Sequence, residues 1–65
     1  MNEGDEVRLK STVTSDGNRE LAAGTSVWII DVQGGGAGFV VQVPLDDDEK
    51  PFDTVYVDAS QVEPV

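Results

Sequence analysis

Val27-Trp28-Ile29-Ile30-Asp31-Val32, then Gln33-Gly34-Gly35-Gly36-Ala37-Gly38, then Phe39-Val40-Val41-Gln42-Val43-Pro44: this stretch decides the fold. Two apolar runs rich in β-branched and aromatic residues flank a glycine-rich connection, which is the pattern of a β-hairpin. Strict alternation puts Trp28, Ile30 and Val32 on one face of the first strand and Val27 and Ile29 on the other. Apolar residues on both faces predict a long, bent strand that serves two sheets, as the second strand of a small barrel does. On the returning strand Phe39, Val41 and Val43 face one way. Pro44 closes it, because proline cannot donate to a ladder. The triple glycine invites comparison with a phosphate cradle, but that chemistry needs a following helix N-terminus or a lysine. Ala37-Gly38-Phe39 leads into a strand with neither, so a flexible hairpin is the better reading.

Working outward, Val7-Arg8-Leu9-Lys10 alternates apolar and charged residues after Gly4-Asp5 and reads as a half-buried first strand. Ser11 to Ala23 is polar, with Asp16-Gly17-Asn18 as a turn at its centre and Leu21 and Ala22 expected to tuck part of it onto the core. Beyond the hairpin, Leu45 to Asp53 is an acidic loop, and Thr54-Val55-Tyr56-Val57 is a fourth strand. Asp58-Ala59-Ser60-Gln61 makes one tight turn before the short closing strand Val62-Glu63-Pro64-Val65. No window sustains apolar residues at helical spacing. About five antiparallel strands without helices predict an all-β chain forming one domain over residues 1–65. A small barrel is the expected architecture, since closure removes exposed sheet edges.

Composition narrows the chemistry. With no cysteine and no histidine, disulfides, thiolate metal sites, cysteine nucleophiles and the commonest general base are all excluded. Thirteen acidic residues against four basic ones give a net charge of −9. Direct nucleic-acid binding is not expected, because it draws its affinity from cationic side chains on phosphates. Adhesion to an anionic membrane is not expected for the same reason. The polar, acidic N-terminus lacks the pattern of a secretion signal, and the apolar runs fall far short of a membrane span, so a cytoplasmic protein is the default expectation. A domain this small buries only about 60% of its unfolded surface, which leaves association with another chain as a route to further stability.

Gly4-Asp5-Glu6-Val7-Arg8-Leu9 resembles the opening strand of many bacterial SH3-like barrels. Gly24, Ile29-Ile30-Asp31-Val32, the glycine hairpin, Phe39 to Val43 and the ending Val57 to Val62 keep their spacing. The chain looks most like a family of small bacterial SH3-like domains of uncharacterised role, over almost its whole length. That resemblance implies a small SH3-like barrel; such barrels serve as binding modules, enzyme accessory chains and small subunits. More distantly, the chain is similar to the type II dihydrofolate reductases, which open with a comparable Gly-Asp-x-Val-Arg strand. In that family four chains surround one pore, and a Val-Gln-Ile-Tyr strand segment supplies binding residues. Thr54-Val55-Tyr56-Val57 is the nearest local match, without the glutamine, the tyrosine in register or most of the basic residues.

Among candidate sites, Asp46, Asp47, Asp48 and Glu49 are the most visible. Consecutive acids point in different directions, so a solvated loop is favoured over a calcium or magnesium site. With Asp53 and Asp58 they are expected to form a negative patch at one end of the barrel, suited to a cationic protein. Trp28 and Tyr56 are the natural anchors for recognition, since large aromatics bury much area at little entropic cost; for Trp28, a place in the core weighs equally. Lys10 and Lys50 are expected to be solvated amines. No catalytic, cofactor or metal residues stand out. The expectation is a non-enzymatic acidic interaction module that binds a protein, basic or identical to itself, through Trp28, Tyr56 and the acidic loop. An immunity-protein or antitoxin-like neutraliser is one form of it, and an accessory subunit another. The alternative is a small oligomeric enzyme of the reductase kind with its site between chains.

Overall fold

A computed structural model describes all 65 residues, Met1–Val65. The chain is all-β apart from one 3-10 turn: β1 (Glu6–Leu9), β2 (Val13–Thr14), β3 (Glu20–Leu21), β4 (Ser26–Gln33), β5 (Gly38–Pro44), β6 (Phe52–Asp58), the turn Ala59–Gln61, and β7 (Val62–Pro64). Five strands form one antiparallel sheet in the order β6-β5-β4-β1-β7, and β2 and β3 form a separate hairpin. The polar segment before β4 is therefore a folded arm, with its tip at the expected turn and Leu21 buried in the core as expected; Ala22, by contrast, is exposed. There is no helix long and apolar enough to cross a bilayer.

One face of the sheet carries the core. Val7 and Leu9 of β1, Val27 and Ile29 of β4, Phe39, Val41 and Val43 of β5, Val55 and Val57 of β6 and Val62 of β7 are all buried there with Leu21. Period-two alternation accounts for every one of them within its own strand. It fails at a single place. Ile29 pairs with Val41, but the next pair is Asp31 with Val40, so Ile30 is an extra residue on β4. This β-bulge leaves Ile30 exposed and turns Val32, which pairs with Phe39, toward the core side. The expectation that Trp28, Ile30 and Val32 share a face is corrected accordingly. The bent strand itself is present: the first part of β4 pairs with β1, and its length from Trp28 onward pairs with β5.

The expected closed barrel is also corrected, because no ladder joins β6 to β7 and the sheet is open. Both edges are blunted instead. β7 is three residues long and ends at Pro64, which has no N–H to offer. On β6 the Thr54 carbonyl accepts from Asp16 N–H at 2.9 Å, and Asp58 N–H donates to Gln61 Oε1 at 2.7 Å. The folded arm and the 3-10 turn thereby occupy backbone groups that a neighbouring strand would need. At the β4–β5 connection Gly34, Gly35 and Gly36 all have positive φ, at 57°, 68° and 107°. Residues with a Cβ are strained there, which is why the sequence uses three glycines in succession.

Candidate binding site

The face opposite the core is organised by register. Glu6, Trp28, Gln42 and Thr54 stand side by side across β1, β4, β5 and β6. The next row toward the acidic loop is Pro44 beside Phe52. Trp28, Gln42, Pro44, Pro51 and Phe52 line a shallow groove of about 360 Å³. Trp28 is half-buried and Phe52 is 45% exposed. Two prolines at this corner follow from its geometry: one ends β5 and the other precedes β6, and Leu45 N–H closes the neck between them on the Pro51 carbonyl at 2.8 Å. Trp28 therefore belongs neither to the core nor to an isolated surface position. It is the inner wall of an apolar groove.

Tyr56 lies on the same face but outside that groove, in the row of Asp31 and Val40. Its ring covers Gly38: a Cβ built on Gly38 would collide with Tyr56 Oη and Cζ and lie 2.8 Å from Cε2. The aromatic ring thus shields a bare stretch of strand backbone and keeps Gly38 buried although Tyr56 is 52% exposed. Trp28 and Tyr56 consequently do not form one aromatic site.

Asp46, Asp47, Asp48 and Glu49 are all exposed, on the loop that joins the two proline walls of the groove. Asp47 Oδ1 accepts from Glu49 N–H at 2.9 Å, and its other oxygen lies 3.9 Å from Arg19 Nη2. The loop acids do not gather into a cluster that could hold a metal ion.

Asp53 has a different fate, and the expected negative patch is corrected with it. It is only 2% exposed, on the core face of β6 in step with Val55 and Val57. Ser15 Oγ donates to Asp53 Oδ2 at 2.5 Å, Gly17 N–H to Oδ1 at 3.2 Å and Thr54 N–H to Oδ1 at 2.9 Å. Arg19 Nε lies 3.6 Å away and Lys50 Nζ 3.4 Å away, so Lys50, although solvent-exposed as expected, is also a partner of this carboxylate. Ser15 Oγ in turn accepts Arg19 N–H at 3.0 Å, leaving no buried side-chain polar atom without a partner. The Ser15 hydroxyl holds the Asp53 pKa below its ordinary value; burial pushes the other way, and Thr54 N–H and the Lys50 ammonium reinforce the lowering. Gly17 approaches so closely that a Cβ there would fall 2.6 Å from Asp53 Oδ2. This knot pins the tip of the β2–β3 arm to the start of β6. Asp58 sits at the far end of the same strand, so neither residue adds to the loop's charge patch.

Asp53 was readable as an inward residue from its two-residue spacing to Val55 and Val57, but the acidic run before it masks the signal. Gln42, Pro44, Pro51 and Phe52 become site residues only through register across strands, which no local pattern reveals. No protein-family model, no curated protein and no solved structure matches the chain.

Proposed function

We propose that the chain is a non-enzymatic interaction module, an SH3-like sheet that binds a protein partner through the Trp28 groove and the acidic loop beside it. The observation that carries this reading is the juxtaposition of an exposed, proline-walled apolar groove with four consecutive exposed acids at one corner of the sheet. An apolar anchor site next to a charged rim is the usual anatomy of a protein-recognition surface. The blunted edges of β6 and β7 favour docking on this face over strand addition. The strand order, the arm between β1 and β4 and the 3-10 turn before β7 support the SH3-like description. Neutralisation of a basic protein, or service as an accessory subunit, are the forms of this function that the charge suits.

The test is affinity capture from a bacterial lysate with the immobilised chain and its Trp28→Ala variant, paired with light scattering on the free chain. A cationic protein retained by the parent chain and lost by the variant supports the reading. A symmetric tetramer that binds folate or a nicotinamide cofactor between its chains overturns it in favour of an oligomeric enzyme.

A further inference from the structure

The groove has a specific chemistry, and this inference rests on the reading of it as a binding site. Its lining is apolar apart from the Gln42 amide, and it offers an indole wall and the exposed ring of Phe52. Carboxylates stand around it: Glu6 in register beside Trp28, and Asp46, Asp48 and Glu49 on the loop joining its two proline walls. The chain has only four cationic side chains to offset them. Arg19 and Lys50 are engaged by Asp53, and Arg19 also by Asp47. Arg8 shares the groove's face in the adjacent row, between Ser26 and Glu63, and is the one cation beside Glu6. Lys10 lies beyond the end of β1, its N–H bonded to the Gln61 carbonyl.

We infer that the groove receives an arginine side chain from an extended, basic segment of the partner protein, its guanidinium against Trp28 and its charge balanced by Glu6 and the loop acids. An aromatic face attracts a cation through its quadrupole, and guanidinium suits this better than ammonium because it is planar and weakly hydrated. Proline and phenylalanine walls suit the apolar stem that carries the charge. A second copy of the chain is disfavoured as the occupant, since each copy carries −9 and would bring one acidic rim against another.

Trp28 is the single tryptophan, so its emission reports on the groove directly. The experiment titrates the chain with a capped tetrapeptide of alternating proline and arginine, and with the same peptide carrying citrulline, the neutral isostere of arginine. Tryptophan emission and the amide and indole NMR signals are followed together. The arginine peptide is expected to shift the signals of Trp28, Gln42 and Phe52 saturably, the citrulline peptide to bind about fivefold more weakly or less, and the lysine analogue to fall between them. Raising salt to about 0.5 M is expected to weaken the arginine peptide severalfold. The combined variant Glu6→Gln, Asp46→Asn, Asp48→Asn, Glu49→Gln keeps Asp47 and Asp53 for the fold and is expected to lose a similar factor. Trp28→Leu, checked for folding by its amide spectrum, is expected to abolish the response at Gln42 and Phe52.

Equal binding of the arginine and citrulline peptides overturns the inference, as does unchanged affinity in the neutralised variant. A peptide response confined to other parts of the sheet also overturns it, and so does Trp28 emission that changes with chain concentration alone, which would mark a second copy as the occupant. If partner capture depends on Trp28 while no arginine peptide binds, the arginine assignment fails and the proposed function stands. If the peptide binds while capture is indifferent to Trp28, the proposed function fails instead.

Discussion

The Asp53 knot and the Trp28 groove sit on opposite faces of one sheet, meeting only at β6, and are built by opposite rules. On the core face a charged group is buried and every polar partner around it is satisfied. On the other face apolar rings are left exposed, and the acids of the neighbouring loop outnumber the cations near them, Arg19 beside Asp47 and Arg8 in the row next to Glu6. Both arrangements use aspartates from one short stretch, residues 46–53. The knot takes up Arg19 and Lys50 to hold the arm, and by doing so it leaves the loop acids largely unneutralised. Structure at one site thereby creates the electrostatic character of the other.

The largest effect is expected from Asp53→Ala. The change removes the acceptor for Ser15 Oγ and Gly17 N–H and leaves two cations without their buried partner. A fall in melting temperature on the order of 10 °C or more is expected, with rapid amide exchange at Ser15 to Arg19. Acid titration sharpens the point. The folded Asp53 pKa lies below the ordinary 3.8, so its contribution is complete above that value and is lost as pH falls through the lowered one. Asp53→Asn should remove this part of the acid-limb slope below about pH 4 in chemical denaturation series, whereas neutralising Asp46 and Asp48 should leave it in place.

Gly17→Ala tests the same knot by steric means. The added methyl would press on the Asp53 carboxylate, and a loss of about 1–3 kcal/mol is expected in urea unfolding. On the opposite face Gly38→Ala displaces the Tyr56 ring, whose far end is exposed and free to swing. About 1 kcal/mol is expected there, with altered Tyr56 ring shifts in NMR. The smallest effect belongs to Asp46→Asn with Asp48→Asn, expected to stay within about 0.5 kcal/mol of the parent chain by urea denaturation. A large loss in that variant would erase the distinction between the two regions.

Much of the fold was legible in the chain itself. Val7 and Leu9, Val27 and Ile29, and Phe39, Val41 and Val43 follow strand periodicity and are all buried on one face. The bulge at Ile30 was not legible, because one inserted residue looks the same in a sequence as continued alternation. The open edges were hidden for a related reason: whether β6 and β7 meet depends on strand length and on side-chain competitors such as Gln61, which are tertiary matters. Of the candidate residues, Trp28 lines the groove with Pro44 and Pro51, and Asp46 to Glu49 lie on the loop between those two prolines. Tyr56 is separated from them by register, and Lys50 and Asp53 belong to the knot.

The most direct test of the account is the binding footprint of a captured partner, read from amide and indole shifts of the isotope-labelled chain. Shifts are expected at Trp28, Gln42 and Phe52 and along Asp46 to Glu49, with the Ser15, Gly17 and Asp53 signals unmoved. A footprint on β7 or the glycine loop, with the Trp28 indole signal unchanged, would contradict it.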